Sequence, residues 1–359
     1  MKKLFFTPGP SALYFTAEEH IKQALKEQVP SISHRGKDFQ KIFASAVENI
    51  KVLLNIPDDF HIFFTGSANE IWERLIENCV EHESFHLVNG AFSKRFHQVS
   101  HELGRNALAL NSPHGTCASI EEILVPETSE LIATTQNETS TGVMQPLQDM
   151  YTLRSRYPEK LLAVDTVSAL PYADIDYTMV DSVYFSVQKG FGLPAGLGVW
   201  ILNERCIEKA NKLRSKGRST GSYHSISSLL EKAGKNQTPE TPNVLGMYLL
   251  SKVAADMIEK GITQIRKETE YKAAILYNML EAHSLLDPFV KEKQHRSKTV
   301  IVAETKKTSS EIIGKVAETG MVIGTGYGSF KEDHIRIANF PTHSKEQMEM
   351  LVDFLEGLN

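Results

Sequence analysis

Two stretches near the middle of this 359-residue chain decide its fold. In "LLAVDTVSA" (residues 161–169) an apolar run ends on Asp165, and in "YFSVQKGFGLPAG" (residues 184–196) an aromatic and β-branched run ends on Lys189. Runs of this kind are typical of buried strands. A lysine at the end of a buried strand carries a costly charge unless its amine has a partner or a function. The two residues therefore indicate a site as well as a sheet.

Strand and helix patterns alternate on both sides of these stretches. A helical pattern in "DFQKIFASAVENIKVLLN" (residues 38–55) places Phe39 and Phe43 on one face, and a capping box of Thr16 and Glu19 opens an earlier helix. The alternation predicts an α/β fold whose large, three-layer domain is built on a mainly parallel sheet. The strand candidates in this part of the chain are "HIFFT" (61–65), "FHLVN" (85–89), "ELIATT" (130–135), "LLAVDT" (161–166), "DSVYFSV" (181–187) and "LGVWIL" (197–202).

The pattern changes after "NQTPETPN" (residues 236–243), where two prolines interrupt the chain. A long helical stretch from about residue 245 to 285 is followed by strand and helix patterns, and the last helix opens on a capping box of Ser344 and Gln347. We predict a large domain over residues 13–245 and a smaller C-terminal α/β domain over residues 246–359. Residues 1–12 are expected to pack with the smaller domain or over the active site.

The composition is that of an ordinary globular protein, with 41% hydrophobic and 23% charged residues. The net charge of −5 argues against a nucleic-acid surface, which usually has a basic excess. The apolar stretch at Leu4–Phe6 is too short for a signal peptide or a membrane anchor, and the three scattered cysteines favour a reducing cytoplasm. No metal site is predicted, because the zinc-like spacing of Cys79, His82 and His86 lacks an evident fourth ligand.

Asp165 and Lys189 are expected at the same edge of the sheet, because ligands bind at the carboxyl ends of parallel strands. An acid and an amine placed there suit pyridoxal phosphate: the lysine forms a Schiff base with its aldehyde, and the carboxylate keeps the pyridine nitrogen protonated. The protonated ring then withdraws electrons from the substrate α-carbon. From these two residues alone, a buried Asp–Lys pair without chemistry explains the pattern equally well.

Three further motifs are compatible with the same cofactor, and each also has an ordinary structural explanation. The turn at Gly66 and Ser67 in "FFTGSANE" leaves backbone N–H groups at a helix start for a phosphate, or is a plain strand–helix turn with Ser67 as N-cap. Phe92 in "NGAFSKR" could stack on a pyridine ring or lie in the core. Arg336 in "HIRIANF" alternates with two isoleucines, so it could bind a substrate carboxylate or be a surface arginine.

The order of motifs along essentially the whole chain resembles the class V aminotransferases, which are fold type I pyridoxal-phosphate enzymes. Among them it is most similar to the phosphoserine aminotransferases. The resemblance rests most on Asp165 and on the pair Gln188–Lys189. The motifs that carry it are "TPGPS", "SHRGKDF", "FTGSA", "NGAFSKR", "NETSTG", "DTVSAL", "QKGFGLPAG", "QTPETP" and "HIRIANF".

The resemblance implies a role for each matching residue. Lys189 would be the lysine that binds the cofactor and moves the proton of the substrate, and Asp165 would pair with the pyridine nitrogen. Phe92 would stack on the ring, where the family usually has tryptophan. Contacts to the cofactor phosphate and ring oxygen are implied for Ser67, Ala68, Thr139, Ser168 and Gln188 of the same chain, and for Gln237 and Thr238 of a second subunit.

Three further residues are implied to bind the substrate. Arg336 would hold its α-carboxylate, and His34 and Arg35 in "SHRGKDF" would lie near its side chain.

One segment departs from the pattern. Phosphoserine aminotransferases carry a His-Arg pair for the substrate phosphate in a glycine-rich segment before the carboxylate-binding arginine. Here that segment reads "GTGYGSFKEDHIR" (residues 324–336), where Lys331 or His334 could replace the pair.

The expected function is therefore transamination by a homodimer with shared active sites, between small amino acids and 2-oxo acids. The expected substrates are L-phosphoserine and 2-oxoglutarate, as in serine biosynthesis. The alternative is an alanine– or serine–glyoxylate type of class V aminotransferase, which needs no phosphate-binding pair. A cysteine desulfurase is disfavoured because Phe92 occupies the position of its usual histidine and Cys206 follows a strand. A cofactor-binding regulator is disfavoured because neither end has room for a DNA-binding module.

Overall fold

Two large β-sheets and one two-stranded sheet, flanked by helices, make up residues 3–358, the part of the chain that the computed structural model describes. The strands are β1 (Leu4–Phe6), β2 (His61–Thr65), β3 (Glu83–Val88), β4 (Asn106–Asn111), β5 (Leu131–Thr135), β6 (Asn137–Glu138), β7 (Val143–Met144), β8 (Leu161–Asp165), β9 (Ser182–Ser186), β10 (Gly198–Leu202), β11 (Leu286–Pro288), β12 (Val300–Thr305), β13 (Met321–Thr325) and β14 (His334–Ala338). The helices are α1 (Ala17–Lys26), α2 (Lys37–Leu54), α3 (Ala68–Cys79), α4 (Ala91–Glu102), α5 (Leu147–Arg156), α6 (Glu204–Ser215), α7 (Ile226–Ala233), α8 (Val244–Lys260), α9 (Ile262–Ala282), α10 (Ser309–Glu318) and α11 (Lys345–Glu356).

The larger sheet has seven strands in the order β2-β10-β9-β8-β5-β3-β4. Only β10 runs antiparallel to its neighbours, so the predicted mainly parallel sheet is confirmed. Most of its strands are buried and largely apolar because both faces of the sheet are covered, whereas the edge strand β4 is half-exposed. Phe64 and Val183 pack in a core with α2 and α8, whereas Phe63 and Tyr184 pack in a second core with α3 and α6. The sheet is thus the middle of three layers.

The smaller sheet has the order β1-β13-β14-β12-β11, and α9, α10 and α11 pack against it around a separate core. Its edge strand β1 comes from the N-terminus, where Leu4 pairs with Met321 in parallel. The chain then passes to the larger sheet, where the amide of Ser11 donates to the Gln188 carbonyl at 3.1 Å. The N-terminal segment therefore joins the two sheets. The division at residues 245 and 246 stays a prediction.

The helix limits differ from the expectation in two places. The long helical stretch is two helices, because Gly261 between α8 and α9 adopts a φ of +85°, which ends the first helix. The capping box of Ser344 and Gln347 is present, but the one predicted at Thr16 is wrong. The Thr16 hydroxyl instead donates to Asp256 at 2.5 Å. None of the helices within residues 3–358 is long and apolar enough to cross a membrane.

Candidate active site

A cavity of about 210 Å³ lies at the carboxyl ends of the parallel strands β5, β8 and β9. Ligands bind at this edge in open α/β sheets. Five of the residues predicted from the sequence are on its wall, together with residues that the sequence did not single out. The lining consists of Gly9, Pro10, Asn69, Trp72, Phe92, Thr135, Asn137, Thr139, Asp165, Val167, Ser186, Gln188 and Lys189.

Lys189 lies in the turn that follows β9, because the strand ends at Ser186 and not, as expected, on the lysine. Its side chain is buried, and the ε-amine donates a hydrogen bond to the backbone carbonyl of Pro8. Burial lowers the pKa of this amine to about 8, and the positive charge of Arg336 acts in the same direction. The nearby carboxylate of Asp165 opposes the effect. A substantial fraction of the amine is therefore neutral near physiological pH.

Asp165 is the last residue of β8, and it pairs in register with Tyr184 of the parallel neighbour β9. One carboxylate oxygen accepts the Val167 amide at 2.9 Å, and the other accepts the Trp72 indole N–H at 3.3 Å. Burial raises the pKa of this carboxyl to about 7. Trp72 was missed in the sequence, although its place one turn into α3 puts it over the same strand ends. The acid and the amine predicted as partners thus belong to adjacent strands.

Phe92 lines the cavity, and Arg336 lies near it; both pack against the ring of Tyr327. Phe92 lies in the first turn of α4, and its ring centroid is 5.9 Å from the Lys189 amine. Arg336 is directed away from the core that holds Ile335 and Ile337, as the alternation predicted. Its guanidinium donates to the carbonyls of Thr325 at 2.8 Å and of Thr139 at 3.3 Å. It is partly buried at the edge of the cavity, since Thr139 is a lining residue.

The hydroxyls of Thr139 and Ser168 form one buried cluster. Thr139 Oγ1 donates to Ser168 Oγ at 2.9 Å, and the side-chain amide of Asn137 donates to the same oxygen at 2.7 Å. Thr139 and Asn137 line the cavity, whereas Ser168 lies behind them. Gln188 also lines the cavity, and its buried Oε1 has no hydrogen-bond partner among residues 3–358. An unpaired buried acceptor at this place is available to a ligand.

The turn before α3 lies beside the cavity, as Asn69 on its wall shows. Ser67 is the N-cap and accepts the Glu70 amide at 3.4 Å, while the amide of Ala68 donates to Ser186 Oγ at 2.9 Å. The Gly66 amide donates to the Glu70 carboxylate at 2.9 Å. The carboxylate of Glu70 therefore already lies at the start of α3. Neither Ser67 nor Ala68 is itself a lining residue of the cavity.

The remaining predicted residues form a second group on the same chain, in which Arg35 is exposed and Thr238 is buried. The Arg35 guanidinium donates to Gln237 Oε1 at 3.1 Å and to the carbonyl of Thr238 at 2.8 Å. His34 Nδ1 lies 3.4 Å from the hydroxyl of Thr241. None of these four predicted residues, His34, Arg35, Gln237 and Thr238, lines the cavity at Lys189. The structure therefore brings them together with one another and not with the lysine of their own chain.

The cavity fits pyridoxal phosphate in the chemistry of its walls. It offers an amine of lowered pKa, a buried carboxyl, an aromatic ring and an unpaired amide oxygen, and a helix start lies next to it. The first four groups have counterparts in the cofactor, namely its aldehyde, its pyridine nitrogen, its ring face and its ring substituents. The helix start suits a phosphate in type, although it already holds the carboxylate of Glu70.

Comparison with known proteins gives a consistent result. The family model described as "Aminotransferase class-V" matches residues 7–334. A phosphoserine aminotransferase of Corynebacterium glutamicum (strain R) is 27% identical over 334 residues, covering 90% of this chain and 86% of that protein. One of Rhodococcus opacus (strain B4) is 26% identical over 332 residues, covering 90% and 87%.

A solved structure is much closer in sequence. The crystal structure of a phosphoserine aminotransferase from Cytophaga hutchinsonii ATCC 33406 is 49% identical, with a TM-score of 0.98 and coverage of 99% of both chains. The fold expected from the sequence, that of a fold type I pyridoxal-phosphate enzyme, is therefore confirmed. The chain belongs to the class V aminotransferase family and is a pyridoxal-phosphate-dependent aminotransferase.

Proposed function

We propose that the protein catalyses transamination between L-phosphoserine and 2-oxoglutarate, in the step that forms phosphoserine from 3-phosphohydroxypyruvate for serine biosynthesis. The observation that carries the reaction type is the amine of Lys189 and the carboxyl of Asp165 in one buried cavity, at the ends of adjacent parallel strands. The substrate follows from the relatives, which are named phosphoserine aminotransferases. Serine biosynthesis and a cytoplasmic location are part of this proposal.

Pyridoxal phosphate supplies the aldehyde carbon that takes up the amino group and the ring that withdraws electrons from the substrate. Lys189 accepts the proton from the substrate α-carbon, a transfer for which a pKa of about 8 is well matched to neutral pH. Asp165 holds a proton on the pyridine nitrogen. Phe92 would stack on the ring, and Arg336 would hold the α-carboxylate of the substrate and so orient it relative to the Lys189 amine.

Around the ring, Thr139 hydrogen-bonds the hydroxyl of the cofactor, with Ser168 behind it. Gln188 and the backbone at Ser67 and Ala68 contact the phosphate or the ring oxygen. Asn137 and Ser186, which also line the cavity, are additional polar neighbours.

The active site is completed by a second subunit in this proposal. Arg35 binds the segment of Gln237 and Thr238 at hydrogen-bond distances of 3.1 and 2.8 Å. Because the four residues of this group are held together but lie apart from Lys189 of their own chain, they are suited to reach the cavity of a neighbour. A homodimer with two-fold symmetry would place each such group at the other active site.

The second candidate function is transamination of alanine or serine with glyoxylate. The observation that favours it is the segment before Arg336, which has no His-Arg pair. His334 does not replace it, because its Nδ1 is bonded to Asp333 at 2.7 Å and its ring packs against Phe289 and Phe330. Lys331 is exposed, and its carbonyl accepts the Ser309 hydroxyl at 2.6 Å.

A panel of half-reactions on the cofactor-loaded protein distinguishes the two substrates. L-phosphoserine, L-glutamate, L-alanine and L-serine are added in turn, and the visible absorbance reports conversion of the cofactor to its amine form. Rapid conversion by phosphoserine and glutamate alone supports the proposal. Rapid conversion by alanine or serine with phosphoserine inert assigns the glyoxylate type. A protein that shows no cofactor absorbance would overturn the role of Lys189.

A further inference from the structure

Glu138 is a fully buried carboxylate that the reaction described above does not use. It lies between Asn137 and Thr139, which both line the cavity, but Glu138 itself does not. Its side chain is directed instead into the first turn of α4, the helix that carries Phe92. A buried charge at such a place is costly unless it is fully hydrogen-bonded.

The carboxylate of Glu138 is surrounded by donors from two segments. Oε2 accepts the Ser93 amide at 3.0 Å and lies 3.0 Å from the Ser93 hydroxyl. Oε1 accepts the Phe92 amide at 3.4 Å, the Ser140 amide at 3.1 Å and the Ser140 hydroxyl at 2.7 Å. The Ser140 hydroxyl in turn accepts the amide of Ala91 at 2.9 Å. The N–H groups of the first turn of α4 are therefore bound directly or through one serine to this single carboxylate.

The arrangement supports α4 in two physical ways. The N–H groups at a helix start have no partner within the helix, so an acceptor from elsewhere satisfies them. The negative charge also interacts favourably with the positive end of the helix dipole. The close approach needs a glycine at the helix start, since a Cβ on Gly90 would lie 2.3 Å from Cγ of Glu138. The side chain of Glu138 and the start of α4 are thus packed too closely for a Cβ at residue 90.

We propose that Glu138 is a positioning residue, which holds the first turn of α4 and with it the Phe92 ring against the cavity where the cofactor binds. This inference rests on the proposed function, because it presupposes that Phe92 stacks on the cofactor ring. The same contact couples two walls of the site. Glu138 precedes Thr139, whose carbonyl accepts the Arg336 guanidinium at 3.3 Å, so one residue orders both the ring-stacking side and the carboxylate-binding side.

The test replaces Glu138 by glutamine (E138Q), which keeps the size but brings an NH₂ group against backbone N–H donors. Glu130 offers a matched control, E130Q. Its carboxylate also accepts backbone amides, from Glu81 at 3.0 Å and from His82 at 2.7 Å, but it precedes β5 at the opposite end of the sheet. For each variant the dissociation constant of pyridoxal phosphate is measured from the absorbance and circular dichroism of the bound cofactor. Hydrogen exchange of the Phe92 and Ser93 amides is measured on the cofactor-free protein.

We expect E138Q to bind the cofactor at least about tenfold more weakly, because a buried charged acceptor is lost. Its circular dichroism band should shrink, and the two amides should exchange faster. E130Q should leave cofactor affinity unchanged. The inference is overturned if E138Q binds as tightly as the wild type, or if E130Q weakens binding as much. If E138Q does not fold, Ser140→Ala removes one donor, and an unchanged affinity there overturns the inference as well.

Failure of the proposed function gives a different result. If the wild-type protein bound no pyridoxal phosphate, the assignment of the cavity would be wrong. The exchange of the Phe92 and Ser93 amides would still report whether Glu138 holds the helix start, because it is measured without cofactor. Loss of affinity in E138Q with wild-type exchange would overturn the positioning role while leaving the proposed function intact.

Discussion

The ε-amine of Lys189 donates a hydrogen bond to the backbone carbonyl of Pro8, 181 residues earlier in the chain. This contact places the N-terminal segment directly over the cavity, with Gly9 and Pro10 on its wall. The adjacent strand β1 belongs to the smaller sheet, so the contact also ties the smaller sheet to the lysine. A Cβ added at Gly9 would overlap the end of the Lys189 side chain, which would have to shift.

The first prediction tests the close contact between Gly9 and the Lys189 amine. Gly9 has a φ of +148°, and a Cβ there would lie 2.2 Å from Nζ of Lys189. We expect Gly9→Ala to lower the rate of the half-reaction by about 100-fold, because it displaces the amine from its geometry. Gly104→Ala is the control, since Gly104 also has a positive φ of +73° but a Cβ added there would meet nothing within 4 Å. Equal rates for the two variants would contradict the prediction.

The second prediction tests the role of Lys189 itself. Lys189→Ala removes the buried amine, and turnover should fall by about 10³-fold or more because both the nucleophile and the proton acceptor are lost. The visible band of the cofactor bound to lysine should disappear. Lys160→Met is the control: Lys160 is also buried, but it binds the carbonyl of Glu127 away from the cavity. Retention of the band in Lys189→Ala would show that another group binds the cofactor.

The third prediction follows from the raised pKa of Asp165. In the cofactor-free protein its pKa is about 7, mainly through burial, above its value of about 3.9 in the unfolded chain. The folded state therefore binds the proton more tightly, so ionisation costs stability as the pH rises from about 4 to 7. We expect Asp165→Asn to be more stable than the wild type by about 2 kcal/mol or more at pH 8. The difference should shrink as the pH falls towards 4, which urea denaturation can follow.

The same variant should be a poorer enzyme. Without the carboxylate, the proton on the pyridine nitrogen is no longer held, so kcat should fall although the fold is retained. A stability gain combined with an activity loss distinguishes a functional carboxyl from a structural one. If Asp165→Asn were less stable at pH 8, the buried carboxyl would be a structural partner of Trp72 and Val167 and not a strained functional group.

The fourth prediction concerns His224, which lies between two carboxylates. It is bonded to Glu70, and its Nε2 lies 2.7 Å from Glu240. Burial alone would lower its pKa, but the hydrogen bonds to Glu240 and Glu70 outweigh this and raise the pKa to about 9. The stabilisation is fully present below pH 6.5 and is lost as the pH rises through 9. We expect His224→Gln to be about 2 kcal/mol less stable than the wild type at pH 6, with the difference disappearing above pH 9.

The control for His224 is His97→Gln. His97 contacts a backbone carbonyl, that of Ala107 at 3.0 Å, in place of the two carboxylates that flank His224, so this variant reports the effect of replacing a partly buried histidine outside that arrangement. A constant stability difference between His224→Gln and the wild type from pH 6 to pH 10 would show that the imidazole is not charged in the folded protein.

The fifth prediction tests the shared active site. Arg35→Ala should lower kcat/KM, and Lys189→Ala should abolish turnover. If Arg35 acts in the site of the neighbouring subunit, a dimer of one chain of each kind has one intact site, so co-expression should restore about one quarter of the wild-type activity. Activity no greater than the sum of the separate variants would show that each site is built from one chain. Size measurements on the wild type establish whether the dimer forms.

Most strands of the larger sheet could be located from the sequence because both of their faces are buried. Five of the six predicted runs start and end within one residue of β2, β5, β8, β9 and β10, since a continuous apolar run has few other stable environments. The predicted "FHLVN" run matches β3 less closely, because that strand starts two residues earlier, at Glu83. Strand β1 was missed because its apolar run is only three residues long. Strand β4 was missed because it is half-exposed and has asparagine at both ends.

The residues of the candidate site also divide into those that the sequence predicted and those that it missed. Asp165, Lys189, Phe92, Thr139 and Gln188 were predicted and line one cavity. Ser67, Ala68 and Ser168 lie beside it, and the group around Arg35 lies elsewhere on the chain. Trp72, Gly9 and Glu138 were not predicted, because each acts through a partner far away in sequence. Their hydrogen-bond or contact partners are 93, 180 and 46 residues distant.

The sequence by itself indicated the layered α/β fold, the placement of Asp165 and Lys189 at one sheet edge, and the chemistry that an acid and an amine at that edge permit. Apolar periodicity and residue type are local properties, and the carboxyl ends of parallel strands meet wherever such strands pair. Only the tertiary structure decided that Pro8 covers the lysine, that Trp72 binds the carboxyl and that Glu138 turns from the cavity into the start of α4. These contacts depend on how distant segments pack, and packing fixes distances that no local pattern contains.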